Sequence, residues 1–411
     1  MRAFTIGVWA VVSVFLQLFV NSTIVKSLGM MLGEIQYEFS SATWVLGTIF
    51  ALVECVSDLL APIAGPLGRR LGTRSVVMVG GVMVTAGLII ASQASSIVQI
   101  ALSMNILLAI GYCVVNVLTR AALGQHFDNK MFALASGIAY TGNSLSLVTQ
   151  PPLMQLFIDT YGWRGAMLLL SSICFHLVVC GALLVPLPTG SGAISTTTYT
   201  PLEQSTDQTN DQMDEDKRGT RSCLKSFCQS LGESFGISLI KDYNFWIITF
   251  IFVVNRVNKG AWLIYFVPHA VSRGIANNVA ATMVTAAGLG YLATSLLVSL
   301  AVFKELVSST SAMLVSIVVV SASFLIEPWM TSGWMMSANA CVYMAGMGTV
   351  FGLGDVMVKE FIGFERMANA FGWMGFISGL FRFFSGFVPG WIYDHSGSYD
   401  AAFVGLALFS W

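Results

Sequence analysis

The chain has 411 residues, of which 55% are apolar and only 10% are charged. A water-soluble chain carries about 25% charged residues, so this one cannot dress a water-facing surface. Its net charge of −1 gives nucleic acid no basic face to bind. Its seven scattered cysteines have neither metal-ligand spacing nor the even number of a disulfide framework.

A spanning helix needs about 20 mainly apolar residues to cross a hydrocarbon core of about 30 Å. Such runs lie at roughly 6–32, 44–66, 75–93, 97–119, 132–158 and 163–186. They resume at roughly 244–268, 280–303, 308–328, 333–358 and 370–393. The first run is too long for a cleavable signal peptide and lacks a small-residue cleavage site, so it is read as a retained first helix. A last run, 401–411, covers about half a bilayer at about 1.5 Å per residue. The twelfth helix is therefore either truncated there or does not span.

Residues 187–242 are rich in Ser, Thr, Gln, Asp and Glu and cannot bury enough apolar surface to fold alone. They are expected to form a largely disordered linker between a six-helix bundle, 1–186, and a second bundle, 243–411. Leu224, Phe227, Leu231 and Phe235 recur three or four residues apart. An amphipathic surface helix near 222–240 is one reading of that pattern; disorder throughout is the other.

Arg69, Arg70, Arg74, Lys130, Lys217, Arg218, Arg221, Lys225, Lys241, Lys304, Lys359 and Arg366 fall in loops on one side, and the opposite loops carry only Arg164 and Arg273. The basic side is expected to be cytoplasmic. An even number of spans then places both termini and the 187–242 loop on that side.

The halves also repeat. An offset of 235 pairs Ala133 with Ala368, Gly137 with Gly372, Asp159 with Asp394 and Gly162 with Gly397. A six-helix unit repeated in parallel across a long linker resembles the major facilitator layout. The expected fold is thus an all-α polytopic membrane protein with two six-helix bundles in pseudo-two-fold parallel repeat. The segment after the second helix, Gly65-Pro-Leu-Gly-Arg69-Arg70-Leu-Gly72-Thr-Arg74, resembles that superfamily's loop signature. Gly65 and Gly72 allow the turn, and Arg70 and Arg74 are placed to clasp helix ends and lipid phosphates. Arg69 stands where the signature usually has an acid, so the clasp between halves is expected to be altered.

Two longer stretches are more specific. GQHFDNKMFALASGIAYTG at 124–142 precedes Tyr161-Gly162-Trp163-Arg164-Gly165. GFERMANAFG at 363–372 and GWIYDHSGSYDAAF at 390–403 follow near the end. Together these resemble the monocarboxylate transporter family. The resemblance implies a solute carrier of small organic acids or amino-acid-like solutes, seated between the halves near the midplane. It also implies a plasma-membrane setting and a single-pass glycoprotein chaperone as partner. Lys26 stands at the site of the family's first-helix lysine, which is implicated in holding the substrate carboxylate and in proton coupling. The eighth helix departs from the pattern: Tyr291 and Ser295 occupy the places where proton-coupled members carry Asp and Arg. Facilitated diffusion is therefore expected rather than proton symport, with a relay moved to Glu54, Asp58 or Asp355 as the alternative.

An ionisable residue in a spanning helix costs about 2.5–3.5 kcal/mol on insertion scales, so it normally faces a cavity or a partner. Here Lys26, Glu54, Asp58, Arg256, Lys259, Asp355 and Arg382 lie inside spans and Arg120 ends the fourth, while the third and twelfth carry none and the sixth and ninth only Arg164 and Glu327 at their very ends. In the major facilitator fold those four helices face lipid. The surplus of basic groups predicts a cavity of positive potential for an anionic or zwitterionic solute. Lys26, Arg256, Asp355 and Arg382 are the candidate substrate-binding residues, and Glu54 and Asp58, one turn apart, the coupling candidates. Competing readings stand beside these. Glu54 and Asp58 lock helices through ion pairs, Arg382 pairs with Asp355, Lys259 snorkels to the outer water layer, and His269 is an exposed loop histidine. No catalytic residues, cofactor or metal are expected, because no His pair, Ser–His set or Cys–His spacing occurs. A transporter-like sensor or scaffold is the alternative function.

Overall fold

The computed structural model describes residues 2–40, 43–185, 234–396 and 403–405. The expected helix near 222–240 falls mostly outside them, as do the linker and nearly all of the expected twelfth helix. The helices are α1 (Arg2–Phe39), α2 (Thr43–Leu71) and α3 (Thr73–Ser92). α4 (Ile97–His126) carries a π-helical stretch at Ser103–Leu108. α5 (129–161) and α6 (163–183) form one bent pair, Asn129–Leu183. The second half holds α7 (Tyr243–Ser272), α8 (Asn277–Phe303), α9 (Ser309–Ile326), α10 (Gly333–Ile362) and α11 (Met367–Ser396). Among the described residues there is no strand. Among the described residues eight helices, counting Asn129–Leu183 as one, are long and apolar enough to cross a membrane, or up to nine with the bent α7.

The turn between α5 and α6 explains part of the Tyr-Gly-Trp-Arg-Gly motif. Gly162 sits at φ 67°, ψ 176°, where a Cβ would be strained. Beyond that turn, Trp163 Nε1 donates to Glu38 Oε2 at 2.5 Å, and Arg164 Nη2 pairs with Glu38 Oε1 at 2.7 Å. Arg164 Nη1 also donates to the Ser92 carbonyl at 3.0 Å. One motif thus staples the ends of α1 and α3 to the α5–α6 turn.

Outward faces are apolar on α3, α6 and α9. α3 exposes Val79, Val82, Ile89 and Ile90, α6 exposes Leu168, Phe175 and Val179, and α9 exposes Leu314, Val315 and Val318. Polar residues turn inward instead. Thr23 Oγ1 bonds Ser146 Oγ at 3.0 Å, Gln150 Nε2 donates to Ser27 Oγ at 3.3 Å, and Asn105 Nδ2 donates to the Ile49 carbonyl at 3.4 Å. These are the interhelical bonds expected of polar groups in packed spans.

The halves press together along α2 and α11. A Cβ on Gly372 would lie 2.8 Å from the Ala61 carbonyl oxygen, and one on Gly379 would lie 3.0 Å from the Asp58 Cβ. Small residues here let two backbones approach. Overpacking such a seam costs about 1–3 kcal/mol, so Gly372→Ala is expected to lower the thermal unfolding temperature of the detergent-solubilised protein by several degrees. An unchanged unfolding temperature would contradict that packing.

Candidate functional site

Among the described residues, arginines meet three interior carboxylates, Glu54, Asp58 and Asp355, and a fourth, Glu327, is buried beside His269. Glu54 and Asp58 share one face of α2, one turn apart. Four residues after Asp58 stands Pro62, which has no N–H to return to the Asp58 carbonyl. Arg256 of α7 places Nη1 3.2 Å from Asp58 Oδ1. Arg382 of α11 spans both acids, with Nη1 2.8 Å from Asp58 Oδ2 and Nη2 2.7 Å from Glu54 Oε2. Two carboxylates and two guanidiniums thus form one neutral cluster joining the first half to the second. Asp58 lies at its centre and is buried, with 5% side-chain exposure against 22% for Glu54.

The third acid makes a separate pair. Arg120 of α4 grips Asp355 of α10 with two bonds, Nε to Oδ2 at 3.2 Å and Nη2 to Oδ1 at 2.7 Å. Tyr140 Oη of α5 donates to Asp355 Oδ2 at 3.2 Å, and the guanidinium lies 4.2 Å from the centroid of the Phe371 ring. This corrects the expected Asp355–Arg382 pair. Asp355 turns to the opposite half, and Arg382 is already held by Glu54 and Asp58. Two-point recognition of a carboxylate is the geometry arginine is built for. Sequence reasoning missed this partnership although a signal existed. The repeat offset of 235 applied to Arg120 lands on Asp355, so the two are symmetry mates of opposite sign.

Further contacts between halves run toward the basic loops. Ser136 Oγ donates to the Gly352 carbonyl at 2.9 Å. Lys359 bonds the Phe127 carbonyl, and Lys130 pairs with Glu305. Of the loop signature, Gly65 lies against Asn369 of α11 and Gly72 makes its turn at φ 84°. Arg70 and Arg74 are exposed, while Arg69 bonds the Ser234 carbonyl. The end of the linker docks nearby, where Trp373 Nε1 donates to the Phe235 carbonyl at 2.9 Å.

The two interior lysines differ from the arginines. Among the described residues neither Lys26 nor Lys259 has an acidic partner. Lys259 is half-buried. Its Nζ lies inside the second half, 5.4 Å from the Tyr291 ring centroid and 4.6 Å from that of Phe351. Tyr291, at the place of the missing acid of α8, is itself buried. A further correction concerns His269. It is 1% exposed rather than a loop histidine, with Nδ1 3.6 Å from Glu327 Oε1 and its ring 5.0 Å from Phe403.

The helix order, the buried charges joining two halves and the apolar outer faces define a class: a polytopic secondary transporter of the two-bundle type. The chain belongs to the Major Facilitator Superfamily, whose model matches residues 11–386, and it is a divergent monocarboxylate-transporter-like member. It is 24% identical over 376 residues to monocarboxylate transporter 12 of Mus musculus, covering 89% of this chain and 74% of that protein. Monocarboxylate transporter 11 of Homo sapiens is 37% identical over 164 residues, 40% of this chain and 35% of that one. The crystal structure of the human organic anion transporter MFSD10 (TETRAN) superposes with a TM-score of 0.69 at 14% identity, over 100% of this chain and 99% of that one. This last likeness is one of fold.

Proposed function

We propose that the protein moves a small monocarboxylate or amino-acid-like anionic or zwitterionic solute by alternating access, without proton coupling. The observation that carries this reading is the Lys26 ammonium on α1, which has no acidic partner among the described residues. An uncompensated charge at membrane depth is costly unless a ligand or water meets it. A carboxylate between the halves would meet it, and Lys26 would be its anchor. Arg256, Arg382 and Asp355 would act on the solute indirectly, because each already has an ionic partner.

The absence of coupling rests on the same pairing. A proton relay needs a carboxylate free to titrate, and Glu54, Asp58 and Asp355 each accept from arginine. Alternating access is supported by where the halves meet. The ionic and hydrogen-bonded contacts run from the Asp58 cluster to the basic loops, as they would in a state closed on that side. In this reading the basic side is cytoplasmic, the membrane is the plasma membrane, and a single-pass chaperone accompanies the protein there.

Uptake of labelled lactate and of labelled amino acids into proteoliposomes tests the reading. Removing the charged partner of a buried ion typically costs 2–5 kcal/mol. Lys26→Gln is therefore expected to raise the half-saturating concentration about 100-fold, with the purified variant still eluting as a monodisperse peak. Uptake by Lys26→Gln equal to that of the parent would sink the assignment. Steep acceleration on acidifying one face would overturn the uncoupled mode alone.

A further inference from the structure

The far end of the linker is built into the seam between the halves, although the solute reading gives it no role. Its described residues run from Ser234 into α7 through a 3₁₀ turn over Ile237–Lys241. Two consecutive peptide carbonyls there are taken from opposite halves. Arg69 of α2 donates to the Ser234 carbonyl, and Trp373 Nε1 of α11 donates to the Phe235 carbonyl at 2.9 Å. Gly236 then turns the chain at φ 65°, ψ 36°, and a Cβ there would collide with the amide nitrogen of Asn369. A Cβ on Gly65 of α2 would collide with the amide oxygen of the same residue. Asn369 is buried, and among the described residues that oxygen accepts no hydrogen bond. The side chain is thus seated by shape, in a slot whose walls are the first half and the linker. Past it, Leu239 is fully buried and the Ile240 carbonyl accepts from Trp246 Nε1 at 2.7 Å. Asp242 Oδ1 accepts from the Asn244 N–H at 3.0 Å and so caps α7.

These contacts divide unequally when the halves part. Residues 234–241 are fastened to the start of α7 and to α11, so they move with the second half. Arg69 supplies their hydrogen bond to the first half. In the alternating-access reading, on which this inference rests, opening the basic side draws α2 away from α11. That motion breaks the Arg69 bond and keeps the Trp373 bond. A charged guanidinium makes a stronger hydrogen bond to a carbonyl than a neutral donor does. We infer that the end of the linker is a latch: Arg69 clasps the Ser234 carbonyl to hold the basic side shut, and Trp373 presents that carbonyl to it. Arg69 is exposed, so water competes for the clasp and the latch slows opening without preventing it.

The test reads opening without any solute. Ser136 of α5 is fully buried, and its hydroxyl meets the Gly352 carbonyl across the seam. Ser136→Cys therefore places a thiol that reacts with N-ethylmaleimide when the basic side opens. Cys174, fully buried on α6 within the first half, is the control for general loosening. Reaction at both positions is followed by peptide mass in the purified full chain. In the Ser136→Cys background, Arg69→Gln is expected to speed reaction at position 136 about three- to tenfold and to leave Cys174 unchanged. Trp373→Phe should speed it as well, and should add nothing once Arg69→Gln is present, because it acts through the same clasp. Where Trp373→Phe is not monodisperse, Gly236→Ala takes its place with the same expectation. An unchanged rate at position 136 in Arg69→Gln overturns the latch. So does an equal rise at Cys174, or a separate increment from Trp373→Phe on top of Arg69→Gln. Uptake of labelled lactate and amino acids by the parent judges the transport reading apart from this. A parent that moves solute while Arg69→Gln leaves the labelling unchanged loses the latch alone. A parent that moves none while Arg69→Gln raises the labelling keeps the latch and loses the solute assignment.

Discussion

Asp355→Asn is expected to destabilise the protein by about 3–5 kcal/mol, because it strands a buried guanidinium. Arg120 has 9% side-chain exposure and Asp355 5%, so water cannot replace the lost carboxylate. The neutral amide keeps one acceptor for Tyr140 but cannot answer both Arg120 bonds with a charge. Arg120→Leu is expected to cost as much, since it leaves the Asp355 carboxylate with only the Tyr140 hydroxyl at 3.2 Å. The swapped pair, Arg120→Asp with Asp355→Arg, restores the charge sum at two positions related by the internal repeat. It should recover most of the loss. Thermal unfolding in detergent, followed by loss of the monodisperse peak, measures all three. If the swap is as damaged as either single variant, the fit of these side chains matters more than their charges. If the single variants unfold with the parent, the pair contributes nothing to the union of the halves.

Much of this architecture could be read from the amino-acid sequence because the bilayer imposes a coarse rule. Length of apolar run sets the number of spans, and the cost of an interior charge sorts polar helices from lipid-facing ones. Hence the spans at 75–93, without a charge, and 308–328, with only Glu327 at its end, correspond to α3 and α9 with their exposed valines, isoleucines and leucines. Which charges meet was not legible. Arg382 and Asp355 lie 27 positions apart in one half, and their proximity along the chain favoured pairing them. The structure instead joins residues 235 and 324 positions apart, Arg120 with Asp355 and Arg382 with Asp58. Such pairing depends on the rotation of each helix about its axis, which hydropathy does not report. The ring contacts of Lys259 with Tyr291 and Phe351, from α8 and α10, were not legible for the same reason.

The Asp58 cluster supplies a second large expected effect, and one that separates its two acids. Asp58 serves Arg256 and Arg382 together, whereas Glu54 serves Arg382 alone. Asp58→Asn should therefore leave Arg256 without any carboxylate and cost about 3–5 kcal/mol. Glu54→Gln leaves Arg382 still bonded to Asp58 and lies nearer water, so its expected cost is about 1 kcal/mol. A double-mutant cycle sharpens the comparison. Arg256→Gln combined with Asp58→Asn removes one charge of each sign, and the Arg382–Glu54 pair remains neutral. The double variant should be more stable than the sum of its single losses predicts, by about 0.5–3 kcal/mol. Additive losses would mean that Arg256 and Asp58 do not act on each other. Equal losses for Glu54→Gln and Asp58→Asn would mean that both acids carry Arg382 equally and that Arg256 needs neither. In the expected case, any event that draws Asp58 away from the second half frees Arg256 and leaves Arg382 on Glu54 alone, which makes this carboxylate the point on which the separation of α2 from α7 and α11 chiefly depends.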